Sequence, residues 1–200
     1  MRRLAALALL LAAGCSGQKG AADSALSAAD LAVAGLPADA AKVAPEEVTP
    51  LTEAVAAARD QAAKGDYQGA IAGVKEIPAR AQALAARLPE MKARLTAAMD
   101  TLSVAMPRNL AAIKSKLDAL GKSKRLPRGL DAQQVQAARD TYAAATGEWD
   151  GITASFKEGE LAGAMGRALA LKARVTQSLQ ALGLTADERA WSNVTLPPKS

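Results

Sequence analysis

The sequence predicts an all-α protein, an elongated antiparallel bundle of four to six helices behind a flexible tether. Half of the 200 residues are hydrophobic, yet aromatic residues make up only 2% of the chain. Alanine supplies much of the apolar content, and it has the highest helix propensity of all residues. The β-branched and aromatic residues that favour strands are few. Apolar residues also recur in steps of three and four, which is the spacing of one face of a helix.

The N-terminus has the pattern of a secretory signal. Arg2 and Arg3 give it a positive start, and no charged residue follows over residues 4–13. An apolar segment of this length is too short to cross a bilayer, which needs about 20 residues. A charged start, a short apolar run and small residues behind it are typical of an exported protein. The segment leads directly to Cys15, the only cysteine of the chain.

The sequence LAAGC at residues 11–15 resembles the lipobox of bacterial lipoprotein precursors, with Ala12 in place of the usual leucine. The resemblance implies removal of residues 1–14, a diacylglyceryl group on Cys15 and acylation of the new amino terminus. Two or three acyl chains anchor a protein stably, whereas one chain binds reversibly. Ser16 rather than aspartate follows, which implies an outer-membrane lipoprotein facing the periplasm rather than an inner-membrane one. The alternative is an ordinary secretory signal in which the cysteine has no role.

Three further segments follow the signal peptide at residues 1–14. Residues 15–45 are small, weakly charged and interrupted by glycine and proline, so they are predicted to form a lipidated, flexible tether. Residues 46–184 carry the helical periodicity and are predicted to form the bundle. Residues 185–200 contain LPPKS and are predicted to be a C-terminal tail.

The first two helices of the bundle are marked by proline and glycine. The first is predicted to begin with Thr49 as its N-cap and Pro50 as its first helical residue, and to stop near Gly65. The second is predicted to begin near Tyr67. Pro78 must kink or break it, because proline removes a backbone hydrogen bond inside a helix.

The longest apolar stripe lies in the middle of the chain and comprises Leu95, Met99, Leu102, Met106, Leu110, Ile113, Leu117 and Leu120. Its register continues through Pro107, which predicts either one long kinked helix or two helices nearly in line. Gly121 is expected to end the stripe, and residues 121–131 are expected to form a loop.

The most regular apolar seam follows Asp131, the predicted N-cap of the next helix. Its steps of three and four are typical of coiled-coil packing, and its members are Val135, Ala138, Tyr142, Ala145, Trp149, Ile152 and Phe156. Gly147 and Gly151 lie off this seam and are expected to permit close approach of a neighbouring helix. The last helix is predicted over about residues 161–182.

Two short segments, GDYQGAI at 65–71 and GELAGAM at 159–165, are similar to each other and lie 94 residues apart. Each is predicted to join two helices, with the first glycine as a left-handed cap. They resemble the turn between the helices of tetratricopeptide repeats, but the rest of that repeat pattern is missing. The pattern therefore predicts two similar helical hairpins; the alternative is that any tight helix corner selects such residues. Residues 120–183 contain KSKRLPRG at 122–129, Trp149, Phe156 and the GELAGA turn, and with these features they also resemble uncharacterised helical envelope proteins of bacteria. That resemblance brings no known activity with it.

The residue types available exclude several kinds of catalytic site. The chain contains no histidine, and a lipidated Cys15 leaves no free thiol. Serine–histidine triads, cysteine–histidine pairs and histidine metal sites are therefore excluded. Carboxylates alone can support catalysis, and the neighbouring acids are Glu46 with Glu47, Glu148 with Asp150, and Glu158 with Glu160. None lies near a polar cluster that would separate their pKa values, so no catalytic residue, cofactor or metal site is predicted.

One region concentrates positive charge. Residues 108–128 contain a single acid, Asp118, and seven basic residues: Arg108, Lys114, Lys116, Lys122, Lys124, Arg125 and Arg128. A basic end of a helical bundle suits lipid headgroups, lipopolysaccharide phosphates or an acidic protein. The alternative is a solvated helix end, because basic residues near a helix C-terminus also complement its dipole.

These patterns together predict a non-catalytic, membrane-anchored periplasmic lipoprotein that acts as a helical binding or scaffold module of the cell envelope. Loss of Arg2 and Arg3 with the signal lowers the basic residues from 25 to 23 against 20 acidic ones, a net charge of +3. Such a balance does not indicate nucleic-acid binding. The expected partner is an envelope protein or an anionic lipid. The alternative is a lipid or lipopolysaccharide binding and transfer protein that uses residues 108–128.

Overall fold

The structure, a computed structural model, describes residues 5–123 and 125–186, and it describes their side chains from Gly17 onwards. Within these residues it contains helices and no strand, so the predicted all-α helical bundle is confirmed. The helices are α1 (Ala5–Ala34), α2 (Ala40–Val43), α3 (Pro45–Ala63), α4 (Tyr67–Val74), α5 (Ile77–Lys122), α6 (Ala132–Lys157) and α7 (Leu161–Ala181). The side chain of Cys15, residue Lys124 and residues 187–200 of the predicted tail lie outside the described part.

The chain divides into two compact units, of which the first ends at Pro89 and the second begins at Glu90. In unit 1, α1 packs against α3 and α4, and the short α2 packs against α3. In unit 2, α6 packs against α7, and the part of α5 beyond the boundary lines two grooves together with α6. Each unit therefore has its own set of packed helices, and α5 contributes residues to both.

Most of the segment predicted to be a flexible tether is helical, over residues 17–34 in α1 and 40–43 in α2, so that prediction is wrong there. Ala22 and Ala29 of α1 have no exposed surface, and Leu26 between them is buried. The Arg59 guanidinium of α3 lies 2.6 Å from the carboxylate of Asp30 in α1. Small residues spaced by four and three form a narrow apolar stripe. Alanine in that stripe lets the neighbouring helices pack closely. A packed helix of this kind and a flexible spacer have similar compositions, so composition alone did not distinguish them.

Helix α3 begins five residues earlier than the sequence indicated. Pro45 occupies the start of the helix, and Glu46 and Glu47 lie in the first turn, where their charge complements the helix dipole. Pro50, predicted as the first helical residue, lies inside the helix. Its missing N–H removes one backbone bond. Thr49 before Pro50 is the better N-cap residue by type, but the helix starts at Pro45 behind Ala44, which makes no side-chain cap hydrogen bond.

Proline has different effects in the next two helices. As predicted for Pro78, the helix is broken there: α4 ends at Val74 and α5 begins at Ile77. Pro107, by contrast, lies within α5, which is a single helix of 46 residues. The eight apolar residues predicted as one stripe, from Leu95 to Leu120, are all buried. The continuous burial of this stripe accounts for an uninterrupted helix despite the lost backbone bond.

The predicted start and seam of α6 are confirmed. The Asp131 carboxylate accepts a hydrogen bond from the Gln134 N–H at 2.8 Å, and the Gln134 side-chain oxygen accepts one from the Asp131 N–H at 2.9 Å. This reciprocal arrangement is a capping box. Five seam residues are buried, and Tyr142 and Phe156 are half-buried. The expectation for Gly147 and Gly151 is wrong, because a Cβ atom added at either would meet nothing within 4 Å.

The two similar turns have the same backbone geometry. Gly65 and Gly159 have φ angles of 85° and 93°, the left-handed conformation predicted for both. In the first turn the Asp66 N–H donates to the Gln61 carbonyl at 2.9 Å, and in the second the N–H of residue 160 donates to the carbonyl of residue 155 at 3.0 Å. Each is the six-to-one bond of a Schellman motif. Two successive helices are therefore joined in the same way in each unit.

The similarity extends far beyond these turns. Over residues 44–88, ten side chains are buried, and the residue 94 positions later is buried in every case. The pairs are Ala44 and Ala138, Leu51 and Ala145, Val55 and Trp149, Ala58 and Ile152, Ala70 and Ala164, Val74 and Ala168, Ile77 and Leu171, Ala81 and Val175, Leu84 and Ser178, and Leu88 and Leu182. The prediction of two similar helical hairpins is confirmed, and their shared part covers whole helices.

Candidate cationic groove

The structure brings together only part of the predicted basic region. Lys114 and Lys122 lie in the last turns of α5, where both are exposed and line one groove. Arg108, Lys116, Arg125 and Arg128 do not line it, and Lys124 is outside the described residues. The basic end of unit 2 therefore contains a smaller site within the predicted patch.

This site is an open groove of about 500 Å³ between the end of α5 and the first turns of α6. We call it the cationic groove, and it is lined by Lys114, Leu117, Asp118, Gly121, Lys122, Arg139 and Tyr142. Its lining includes three cations and one carboxylate. Leu117 belongs to the buried stripe of α5, so the groove lies directly above the packed core of unit 2.

Two of the charged groups in the groove compensate each other. The Lys114 Nζ atom lies 2.7 Å from an Asp118 carboxylate oxygen, one helical turn away on α5. This hydrogen bond and the opposite charge raise the pKa of Lys114 and lower the pKa of Asp118. Both side chains are more than half exposed, and exposed pairs of this kind contribute little to stability.

The remaining cations have no such partner. Among the described residues, Lys122 and Arg139 form no ion pair and no side-chain hydrogen bond, and the Tyr142 hydroxyl forms no hydrogen bond. Lys122 comes from α5, whereas Arg139 and Tyr142 come from α6. Two cations without an ion pair and a hydroxyl donor therefore line one concave surface. The charge of Lys122 also attracts the carboxylate of Asp118 and helps to lower its pKa. Such groups recognise carboxylate or phosphate, which an arginine can bind through two parallel hydrogen bonds.

The sequence analysis missed Arg139 and the role of Tyr142. Arg139 lies outside the basic region, 11 positions after Arg128. It comes close to Lys122 only because α6 returns antiparallel along α5 after the connecting loop. Tyr142 was assigned to the apolar seam, and it is half-buried as that assignment requires. Tyr142 lies three residues after Arg139, one turn along the same helix. This spacing predicts that the two side chains share one face of the helix.

A second groove lies between the same two helices. It measures about 610 Å³ and is lined by Met99, Asp100, Ser103, Trp149, Thr153, Phe156 and Lys157. We call it the aromatic groove. Trp149 is only 7% exposed, so it is a core residue as predicted and offers one edge to the groove. Phe156 is half-buried and presents more of its ring.

Some of the carboxylates considered for catalysis form hydrogen bonds with arginines of neighbouring helices or lie at the start of a helix. Glu148 of α6 accepts a hydrogen bond from Arg174 of α7, and Glu47 of α3 accepts one from Arg87 of α5. Glu46 and Glu47 lie in the first turn of α3. Over residues 5–123 and 125–186, no group of three potential ligands is placed to hold a metal ion. No helix there is long and apolar enough to cross a membrane.

Comparisons with protein families, curated proteins and solved structures find no match to this chain. The cationic groove is thus the feature of the described chain with the clearest binding chemistry. It holds cations from two helices above a packed core, and it is open to solvent.

Proposed function

We propose that this protein is a non-catalytic, lipid-anchored helical module of the bacterial cell envelope that binds an acidic partner. The observation that carries the proposal is the cationic groove, where Lys122 and Arg139 lack an ion-pair partner within the described chain. Tyr142 adds a hydroxyl donor beside them. The groove offers binding groups, and the sequence contains no histidine, which serine–histidine and cysteine–histidine mechanisms require.

The electrostatics of the groove indicate selective but moderate binding. Two unit charges 4 Å apart in water attract by about 1 kcal/mol, and salt at physiological strength screens charges beyond roughly 8 Å. Lys122 and Arg139 are exposed, so the attraction between each of them and an opposite charge is close to this value for water. Complementary charge of this kind accelerates association and selects partners more than it adds affinity. The protein would therefore suit a reversible accessory role in a larger assembly.

The anchor is supported by the resemblance of residues 11–15 to a lipobox. In this proposal the lipid on Cys15 holds the protein at the outer membrane, facing the periplasm. Lys122 and Arg139 lie more than 100 positions after Cys15 in the sequence. The helices of unit 1 lie between them along the chain. This arrangement is suited to presenting a binding surface from a membrane.

Photo-crosslinking in living cells tests the proposal directly. A photoreactive amino acid at Gly121 would place the reactive group in the cationic groove and leave Lys122 and Arg139 intact. A discrete adduct with a protein is the expected result, and its mass identifies the partner. Absence of any adduct would contradict binding at this groove. A reproducible hydrolytic or transferase activity of the purified protein would contradict the non-catalytic part.

The second candidate is a lipid or lipopolysaccharide binding and transfer protein. The observation behind it is the aromatic groove, where Phe156 exposes part of its ring beside the buried side chains of Met99 and Trp149. This candidate predicts salt-sensitive binding to anionic vesicles. It also predicts loss of that binding when Lys122, Lys124 and Arg125 are each replaced by glutamate. In the crosslinking experiment it would produce an adduct with the mass of a lipid or lipopolysaccharide.

A further inference from the structure

The two grooves of unit 2 are lined by residues of the same two helices, α5 and α6. On α5, residues spaced by three and four connect them, and all of them are exposed: Asp100, Ser103, Pro107, Ala111, Lys114, Asp118 and Gly121. Residues with this spacing share one face of a helix. The first two line the aromatic groove and the last three line the cationic groove.

A matching row lies on α6 and comprises Arg139, Tyr142, Thr146, Trp149, Thr153 and Phe156. Its start lines the cationic groove and its end lines the aromatic groove, so the two rows run antiparallel. From Asp100 to Asp118 the α5 row covers about 25 Å, at 1.5 Å per residue. Between the grooves the rows carry only small side chains, those of Pro107, Ala111 and Thr146.

The shared framework of the two units shows that packing does not require these groove residues. Unit 1 has Pro45, Val48, Val55 and Ala62 at the positions 94 residues before Arg139, Tyr142, Trp149 and Phe156. Both units nevertheless bury the same ten positions. The helical hairpin therefore forms with small, neutral residues in this row. Unit 2 alone has the cation, the phenol and the two large aromatic rings there.

We infer that the α5–α6 face of unit 2 docks one amphipathic helix of a protein partner, and this inference rests on the proposed function. The partner helix has acidic side chains at the cationic groove and apolar side chains at the aromatic groove. An amphipathic helix commonly binds by placing its apolar face in a groove, with anchors spaced by three, four and seven residues. A partner helix of about 17 residues covers the distance between the grooves.

The lining of the aromatic groove favours a helix over a hydrocarbon chain. Four of its seven lining residues are polar: Asp100, Ser103, Thr153 and Lys157. An acyl chain would cover these groups without offering hydrogen bonds, which is unfavourable. A helix offers both apolar and polar side chains. Val104, 51% exposed and directly after Ser103, extends the apolar surface that such a helix would cover.

The small side chains between the grooves also suit a helix. Packed helices lie about 8–10 Å apart, and small residues at the contact permit the shorter distances. Pro107, Ala111 and Thr146 form a shallow path of this kind between Ser103 and Lys114. The surface therefore has an apolar binding site at one end and a charged binding site at the other. Between them lie small side chains that permit close helix packing.

Two photoreactive probes in the full-length protein in living cells test this inference. One replaces Ser103 in the aromatic groove, and the other replaces Gly121 in the cationic groove, which leaves Lys122 and Arg139 intact. A third probe at Ala119, exposed and outside both grooves, is the positional control. Mass spectrometry of the adducts identifies the protein and the crosslinked residues within it.

Charge reversal supplies the second arm of the experiment. The groove variant carries Lys122→Glu with Arg139→Glu. The matched control carries Lys64→Glu with Lys75→Glu, which makes the same change in net charge at exposed positions of unit 1. Circular dichroism confirms that both variants keep their helical content. The expected loss of adduct yield in the groove variant is about tenfold, against less than about twofold in the control.

The inference predicts that the probes at 103 and 121 crosslink the same protein, at residues about 17 positions apart in one segment. Adducts with different proteins, or at distant segments of one protein, would overturn it. A protein adduct at 121 that is sensitive to charge reversal, with none at 103, would leave the proposed function standing and overturn the single helix. Lipid adducts at either probe, equal adducts at Ala119, or no adduct at all would also overturn it.

Discussion

Asp118 controls how much positive charge the cationic groove offers to a ligand. Its carboxylate is paired with Lys114, so in the wild-type protein Lys122 and Arg139 are the cations left to bind an anion. Charge balance in the groove thus depends on one exposed side chain, and its removal should increase rather than decrease binding.

Asp118→Asn is therefore expected to have two measurable effects. The pKa of Lys114 should fall towards its ordinary value, because the hydrogen bond and the charge of Asp118 raise it in the wild type. The affinity for poly-glutamate should rise about two- to fivefold, which is the scale of one exposed charge pair. An NMR titration of Nζ and a binding titration measure these effects. Asp60→Asn, an exposed acid in unit 1, should change neither quantity; an unchanged affinity in the Asp118 variant would contradict the account.

At the residue level, the sequence identified the buried positions better than the binding residues. The buried stripes follow directly from periodicity, because one helix face is enough to define them. Lys114 and Lys122 were selected by local charge density. Arg139 joins them only through the antiparallel packing of α6 along α5, which is a contact between helices and leaves no mark in the local sequence.

Among the helices, α1 is the clearest departure from expectation. Ala29 is fully buried, whereas its neighbour Ala28 is exposed. Ala29→Asp should lower the free energy of unfolding of unit 1 by about 2–4 kcal/mol, because it buries a charged group without a partner. Ala28→Asp should change it by less than about 0.5 kcal/mol. Denaturant unfolding of both variants measures these changes in free energy. Equal effects would support a loose tether.

The caps of α6 lead to a second prediction for a helix. Gly159→Ala should destabilise unit 2 by about 1 kcal/mol or more, since alanine is strained at a positive φ. Gly147 lies inside the same helix with open space around it. Gly147→Ala should therefore stabilise unit 2 by roughly 0.5–1 kcal/mol. Thermal unfolding should show shifts of opposite sign, and shifts of the same sign would show that the geometry of the turn is wrong.

The start of a helix was predicted correctly where the sequence contains one start signal, and incorrectly where it contains two. Asp131 is a single strong cap, and α6 begins after it. Two prolines five residues apart offered two starts for α3, and local sequence did not choose between them. Pro78 breaks the helix in unit 1, whereas unit 2 has Lys172 at the position 94 residues later and α7 is continuous. Burial lowers the pKa of that lysine.

The molecule as a whole combines one repeated framework with one specialised surface. Both units bury the same ten positions, but only unit 2 has large and charged residues along its α6 row. The all-α fold was predictable because it depends on helix propensity and periodicity. The repeated framework was visible only at its turns, because the buried residues change identity between the units while their spacing is kept.

The proposed membrane attachment through Cys15 can be tested separately from binding. Cells grown with an alkyne analogue of palmitate should incorporate the label into this protein, and Cys15→Ser should abolish incorporation. The variant should also move from the membrane fraction to the soluble fraction, because no acyl chain remains to anchor it. A labelled variant, or an unlabelled wild type, would contradict lipidation at Cys15.

We propose that the cationic groove, rather than the net charge of the protein, binds the acidic partner. A titration of the purified full-length protein with poly-glutamate tests this, using Lys122→Glu with Arg139→Glu and the matched Lys64→Glu with Lys75→Glu control. We expect about a tenfold loss of affinity in the groove variant and less than about a twofold loss in the control at the same ionic strength. Equal losses in the two variants would mean that any exposed lysine or arginine contributes alike, which would contradict a binding site at this groove.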